Sequence, residues 1–98
     1  MQPTTPTQTI QEVLTERGSR YGKFSGHARV TQDLKDTIRD AISANFNFGF
    51  TPSQFEALDM ICHKLGRIVN GDPNYADSWV DIAGYAQLIV DELNGESK

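Results

Sequence analysis

Asp77 and Asp81 are the residues whose type and spacing point most directly to chemistry. They lie four apart in the segment 72–86, whose patterning is helical, so their carboxylates share one face. Like charges one turn apart repel by roughly 0.2–0.5 kcal/mol even in solvent. A pair kept against that repulsion calls for a cation, a basic partner or a ligand. Asp77 could serve instead as a favourable negative charge in a first helical turn. Asp81 lies too deep for that role. Gly84 stands nearby, and glycine inside a helix costs about 1 kcal/mol relative to alanine, so a close approach to the backbone is expected there. Tyr85 flanks the same face and can reach a ligand or pack in the core.

Two further groups could act with this pair. Glu56, Asp59, His63 and Arg67 recur at spacings of three, four and four, which stacks them in one row on a helix. If that row met Asp77 and Asp81, four carboxylates would converge and could hold Mg²⁺ together with waters and phosphate oxygens. His63 would then be placed to steer water. The plainer reading of the row is a solvated face with surface ion pairs. The other group is the basic segment 17–29, with Arg17, Arg20, Tyr21, Lys23, His27 and Arg29 among three further glycines. Arginine and lysine clamp phosphate oxygens, glycines admit backbone N–H groups, and an aromatic ring stacks on a base. Such segments are also common as simple solvated loops. Cys62 falls on an apolar stripe and reads as an inert core residue.

These groups need helices to position them, and the apolar periodicity supplies four. Helix one is predicted from Gln8 to Arg17, capped by Thr7 or Thr9 and stopped by Gly18. Residues 18–26 read as a loop, and helix two as Ala28 to Ala44. The connector 45–50 holds Phe46, Phe48 and Phe50, predicted to plug the end of a bundle or a subunit contact. Thr51-Pro52-Ser53-Gln54 is a capping box with proline at the first helical position, so helix three starts there and runs to Asn70-Gly71. Helix four is predicted from Ala76 to Leu93, with Trp79, Ile82, Ala83, Ala86, Ile89, Val90 and Leu93 facing inward. The fold class is all-α: a four-helix, bundle-like single domain over residues 8–95, with a disordered leader at 1–7 and a polar tail at 96–98. A short helical chain with surplus aromatics predicts a homo-oligomer.

Composition narrows the functions. Ninety-eight residues suffice for one domain with a modest core. A formal net charge of −4 argues against general nucleic-acid binding. No apolar run approaches the roughly 18–20 residues that span a membrane. A single cysteine forbids an intramolecular disulfide and fits a reducing cytoplasm.

Three stretches carry a family resemblance: Arg17-Gly18-Ser19-Arg20-Tyr21-Gly22, the segment 57–68, and the segment 77–86 ending in Gly84-Tyr85-Ala86. Together they resemble small phage and prophage proteins and the phage nucleotide-modification-associated domain. The resemblance implies a phage origin, the cytoplasm of an infected bacterial host, and a link to nucleotides. A more distant likeness is to the MazG-like all-α nucleoside triphosphate pyrophosphatases, whose carboxylates bind Mg²⁺. This chain departs from their pattern, because it offers only Glu56 and Asp59 where that family has three glutamates. Asp77 and Asp81 also lie four apart where the family's spacing is three.

Three expectations follow. The first is a protein that binds, acts on or sequesters a phosphorylated nucleotide, for modified-nucleotide handling or against a host nucleotide signal. Its ligand residues would be Arg17, Arg20, Tyr21, Lys23, Asp77, Asp81 and Tyr85. The second is a Mg²⁺-dependent pyrophosphohydrolase with Glu56, Asp59, Asp77 and Asp81 on the metal. The third is a protein–protein module that inhibits a host enzyme through Phe46, Phe48 and Phe50.

Overall fold

In the computed structural model, which describes residues 8–45 and 48–96, the chain forms α1 (Ile10–Tyr21), α2 (Phe24–Ser43), α3 (Pro52–Asn70) and α4 (Ala76–Leu93). No strand occurs among the described residues. The predicted leader at 1–7, Phe46 of the connector, and Ser97 and Lys98 of the tail lie outside them.

Local capping boxes set two of the helix starts. Thr9 accepts from the Glu12 N–H (3.1 Å) while the Glu12 carboxylate accepts from the Thr9 N–H (2.9 Å), a reciprocal box that starts α1. Thr51 and Gln54 repeat the arrangement at the start of α3, with Pro52 just inside it. α3 ends at Asn70 and α4 spans Ala76–Leu93, both as the sequence predicts.

The first half differs from expectation. Gly18 does not stop α1; it sits inside the helix with open space around it. The break comes at Gly22, whose φ of 76° excludes most side chains. The predicted loop 18–26 therefore shrinks to Gly22-Lys23, and α2 begins at Phe24 instead of Ala28. Tertiary contact explains the shift. Asn70 Nδ2 donates to the carbonyls of Tyr21 (2.8 Å) and Lys23 (2.9 Å), and the Asp72 N–H donates to the Arg20 carbonyl (2.7 Å). The end of α3 thus grips the α1–α2 turn.

α3 is the central helix. It packs against each of the other three, whereas α4 touches no helix but α3. The helices form an open layer, α2 on one side of α3 and α4 on the other, with α1 laid across α2 and α3. The core is small: Ala57, Cys62 and Ile68 are its buried apolar residues. The radius of gyration is 16.8 Å, against about 12–13 Å for a compact chain of this length. Many large apolar side chains remain in solvent, among them Ile10, Phe24, Trp79 and Leu93.

Two expectations about burial need correction. α4 does not turn its whole apolar set inward: Ile82 and Ile89 are partly covered, while Trp79, Ala83, Ala86, Val90 and Leu93 are exposed. The reason is geometric, since at 100° per residue these residues form two faces and α3 covers one. The aromatic connector is also divided. Phe50 packs on Phe55 with ring centroids 5.6 Å apart, while Phe48 is exposed.

Candidate functional site

The grip of Asn70 on the α1–α2 turn shapes a cavity of about 720 Å³ between the end of α1, the start of α2 and the middle of α3. Its volume lies in the range typical of small-molecule sites. Arg17 and Tyr21 reach it from α1, Lys23 from the turn, Phe24 and His27 from α2, and His63 and Arg67 from α3. No carboxylate among the described residues lines it. Among the described residues, Arg17, Lys23 and Arg67 form no ion pair. Three cations without an ion pair thus line one cavity in a chain whose net charge is −4.

Each cation is held differently. The Arg67 guanidinium lies over the Tyr21 ring, 4.1 Å from its centroid, which orients it without consuming its hydrogen-bond donors. Lys23 is the N-cap of α2, where no side chain caps the first-turn N–H groups and no acid stands. That helix end carries a partial positive charge facing the same region. Phe24 is 79% exposed at the rim, so one ring face is open to a planar partner.

Behind the cations stands a pair of histidines. His27 Nε2 lies 3.3 Å from His63 Nδ1, with the rings edge to face. Thr31 Oγ1 lies 3.5 Å from His27 Nδ1 on the buried side. Only one ring can donate across the 3.3 Å contact, so two imidazolium ions there are disfavoured. Burial, then Arg67, then His27 push the His63 pKa down to about 4. His27 is likewise lowered, by burial first and then by Arg67, with the Gly66 carbonyl acting in the opposite direction. Both rings are neutral at pH 7. Close packing depends on Gly66: a Cβ there would overlap Thr31 Oγ1 and come within 3.0 Å of His27 Nδ1.

Four of the sequence-predicted ligand residues lie elsewhere. Arg20 faces an adjoining shallow hollow that Arg17 and Tyr21 also border, stacked 4.3 Å over the Tyr75 ring and beside Glu16. Asp77 accepts a hydrogen bond from the Tyr75 hydroxyl (2.9 Å), which holds the Tyr75 pKa above the usual phenol range. Asp81 forms an ion pair with Lys64 (2.9 Å), so its cation is a lysine of α3. Tyr85 lines a separate groove with Glu56 and Glu92.

The candidate metal ligands are similarly dispersed. Asp59 pairs with Arg39 of α2 (3.5 Å), Glu56 faces the Tyr85 groove, and Asp77 and Asp81 have the partners given above. Among the described residues, no three His, Cys, Asp or Glu side chains gather where a metal ion could sit. The row on α3 divides: Asp59, His63 and Arg67 turn toward α2 and α1, while Glu56 alone faces α4. Cys62 is buried, and burial first and then Asp59 push its thiol pKa up, as an unreactive core cysteine requires.

Sequence reasoning missed three contributors. His27 was grouped with the basic segment without its partner thirty-six residues away. Gly66 carried no local signal. Asn70 read only as a helix end, yet it holds the carbonyls of Tyr21 and Lys23, whose residues line the cavity.

Residues 7–93 match a family described as a domain of unknown function, DUF6378, and the chain belongs to that family. No curated protein and no solved structure matches the chain.

Proposed function

We propose that the cavity between α1, α2 and α3 binds a phosphorylated small molecule carrying a planar ring, with a nucleotide as the best-fitting class. The observation that carries this reading is the carboxylate-free lining with Arg17, Lys23 and Arg67 unpaired. Holding three cations together without a counter-ion is unfavourable unless an anion joins them. Arginine forks suit phosphate oxygens in bidentate fashion, and the uncapped start of α2 adds backbone donors. Phe24 offers a stacking face for a base, and Tyr21 is already committed to Arg67. His63 sits where it can share a proton with a bound phosphate oxygen. Arg20, Asp77, Asp81 and Tyr85 take no part in this version of the site.

Thermal shift with a graded series tests the proposal: inorganic phosphate, a nucleoside, and its mono-, di- and triphosphates. A ligand that binds only the folded chain raises the melting temperature. The nucleotides should do so, more strongly with more phosphates, and the bare nucleoside should not. Equal shifts for nucleoside and nucleotide would remove the basis of the reading.

A further inference from the structure

α4 carries a second apolar face that the described residues of the chain leave uncovered. Ala76, Trp79, Ala83, Ala86, Val90 and Leu93 follow alternating gaps of three and four, and all six are exposed. That spacing is the heptad seam of a helix pair. At 100° per residue the seam lies about 100° around the helix from the Ser78, Ile82, Tyr85 and Ile89 side that meets α3. All four carboxylates of α4, Asp77, Asp81, Asp91 and Glu92, fall outside both the seam and its flanks. The positions flanking the seam away from α3, Val80, Gln87 and Asn94, are uncharged.

We infer that this seam pairs with the same seam of a second copy, the two α4 helices running antiparallel about a two-fold axis that passes between Ala83 and Ala86. The order of side-chain sizes selects that partner. Antiparallel pairing sets Ala76 against Leu93 of the other copy, Trp79 against Val90, and Ala83 against Ala86. Each large residue meets a smaller one, and the small pair at the centre lets the helices approach. Parallel pairing would instead stack two indoles in one layer and two leucines in another. It would also bring all eight carboxylates along the same direction with the helix dipoles aligned.

Trp79 is built as the anchor. Its Nε1 donates to the Pro73 carbonyl (2.9 Å), so the polar end is satisfied and the ring is held, while the residue stays 51% exposed. A fixed, half-exposed tryptophan is the residue type that dominates interface energetics. Leu93 at 71% and Val90 at 48% exposure extend the patch toward the other end. Buried completely in both copies, the seam with Val80 would cover on the order of 1,000 Å², the lower bound for a biological interface. A core as small as Ala57, Cys62 and Ile68 gives independent reason for a second copy to complete the fold.

Sedimentation of the full chain, with two charge variants and a cross-linking pair, tests the inference. The wild type should sediment at twice the mass of the 10.9 kDa chain. Ala83→Glu, at the centre of the seam, should give the monomer, while Leu88→Glu on the far face should stay dimeric. Should Ala83→Glu fail to fold, cysteine pairing decides alone. A mixture of Ala83→Cys and Ala86→Cys chains should form disulfide-linked dimers several-fold faster than either variant by itself, with buried Cys62 not competing. A monomeric wild type at hundreds of micromolar, an Ala83→Glu dimer, or faster linkage of Ala83→Cys to itself would overturn the inference.

Discussion

Gly66→Ala places a single methyl group where the site is tightest. On an ordinary helix surface this change would stabilise by about 1 kcal/mol through helix propensity. Here the added Cβ would overlap Thr31 Oγ1 and press on His27 Nδ1 at 3.0 Å. Thr31 is buried and β-branched, so it has few rotamers with which to retreat. Overpacking of this kind costs about 1–3 kcal/mol, and more when neither neighbour can move. With the upper part of that range, about 2–3 kcal/mol, set against the propensity gain, the net expectation is a loss of about 1–2 kcal/mol, or roughly 5–15 °C in melting temperature for a chain of this size. Urea unfolding followed by circular dichroism measures it. Thr31→Ala removes the obstructing oxygen, so the double variant should recover most of the loss, giving a coupling of about 1 kcal/mol or more. A Gly66→Ala protein as stable as the wild type, or a double variant that merely sums the two single effects, would refute the packing argument.

Further outcomes follow from the same contacts. Asn70→Ala removes both donors that hold the Tyr21 and Lys23 carbonyls. It should cost about 1–3 kcal/mol in chemical denaturation and weaken phosphate-ligand binding even though Asn70 does not line the cavity. Stability should fall as pH drops from about 6.5 toward 4, because the unfolded chain takes up protons on His27 and His63 that the folded chain refuses. His27 is buried and His63 only partly so, and the loss, read from melting curves against pH, should be on the order of 1–2 kcal/mol after solvent screening. A bound anion favours the imidazolium form, so ligand affinity measured by titration calorimetry should rise over the same interval, with proton uptake visible in buffers of different ionisation enthalpy. Gly84→Ala should stabilise the chain by about 0.5–1 kcal/mol, since no atom lies within 4 Å of the added Cβ.

The parts of the fold that were legible in the sequence are those written in local code. Thr51, Pro52 and Gln54 define the start of α3 within four residues, and the apolar spacing after Ala76 is long enough to mark α4 unaided. The end of α1 was not legible, because Gly18 and Gly22 look alike in sequence. Only the reach of Asn70, some fifty residues away, decides which of them turns the chain. The two faces of α4 merged into one for a related reason. Residues on two stripes about 100° apart all look inward-facing until the packing of α3 shows that one stripe is covered. The basic half of the site was readable, since Arg17, Tyr21 and Lys23 lie within seven residues of one another. Its acidic half was not. Asp81 needed a cation, as its position suggested, but the sequence could not say that Lys64 would supply it. Asp77 likewise found the Tyr75 hydroxyl. Partner choice is a property of helix packing, and His27 with His63 shows the same limit.

Amide chemical shifts of the isotope-labelled chain, recorded while a nucleoside triphosphate is titrated in, test the central claim most directly. Saturable shifts should concentrate on Gly18, Gly22, Lys23, His27, His63 and Arg67, and Arg67→Ala should weaken the titration at least tenfold. Shifts centred on Asp77, Asp81 and Tyr85, or none at millimolar nucleotide, would contradict a phosphate site between α1, α2 and α3.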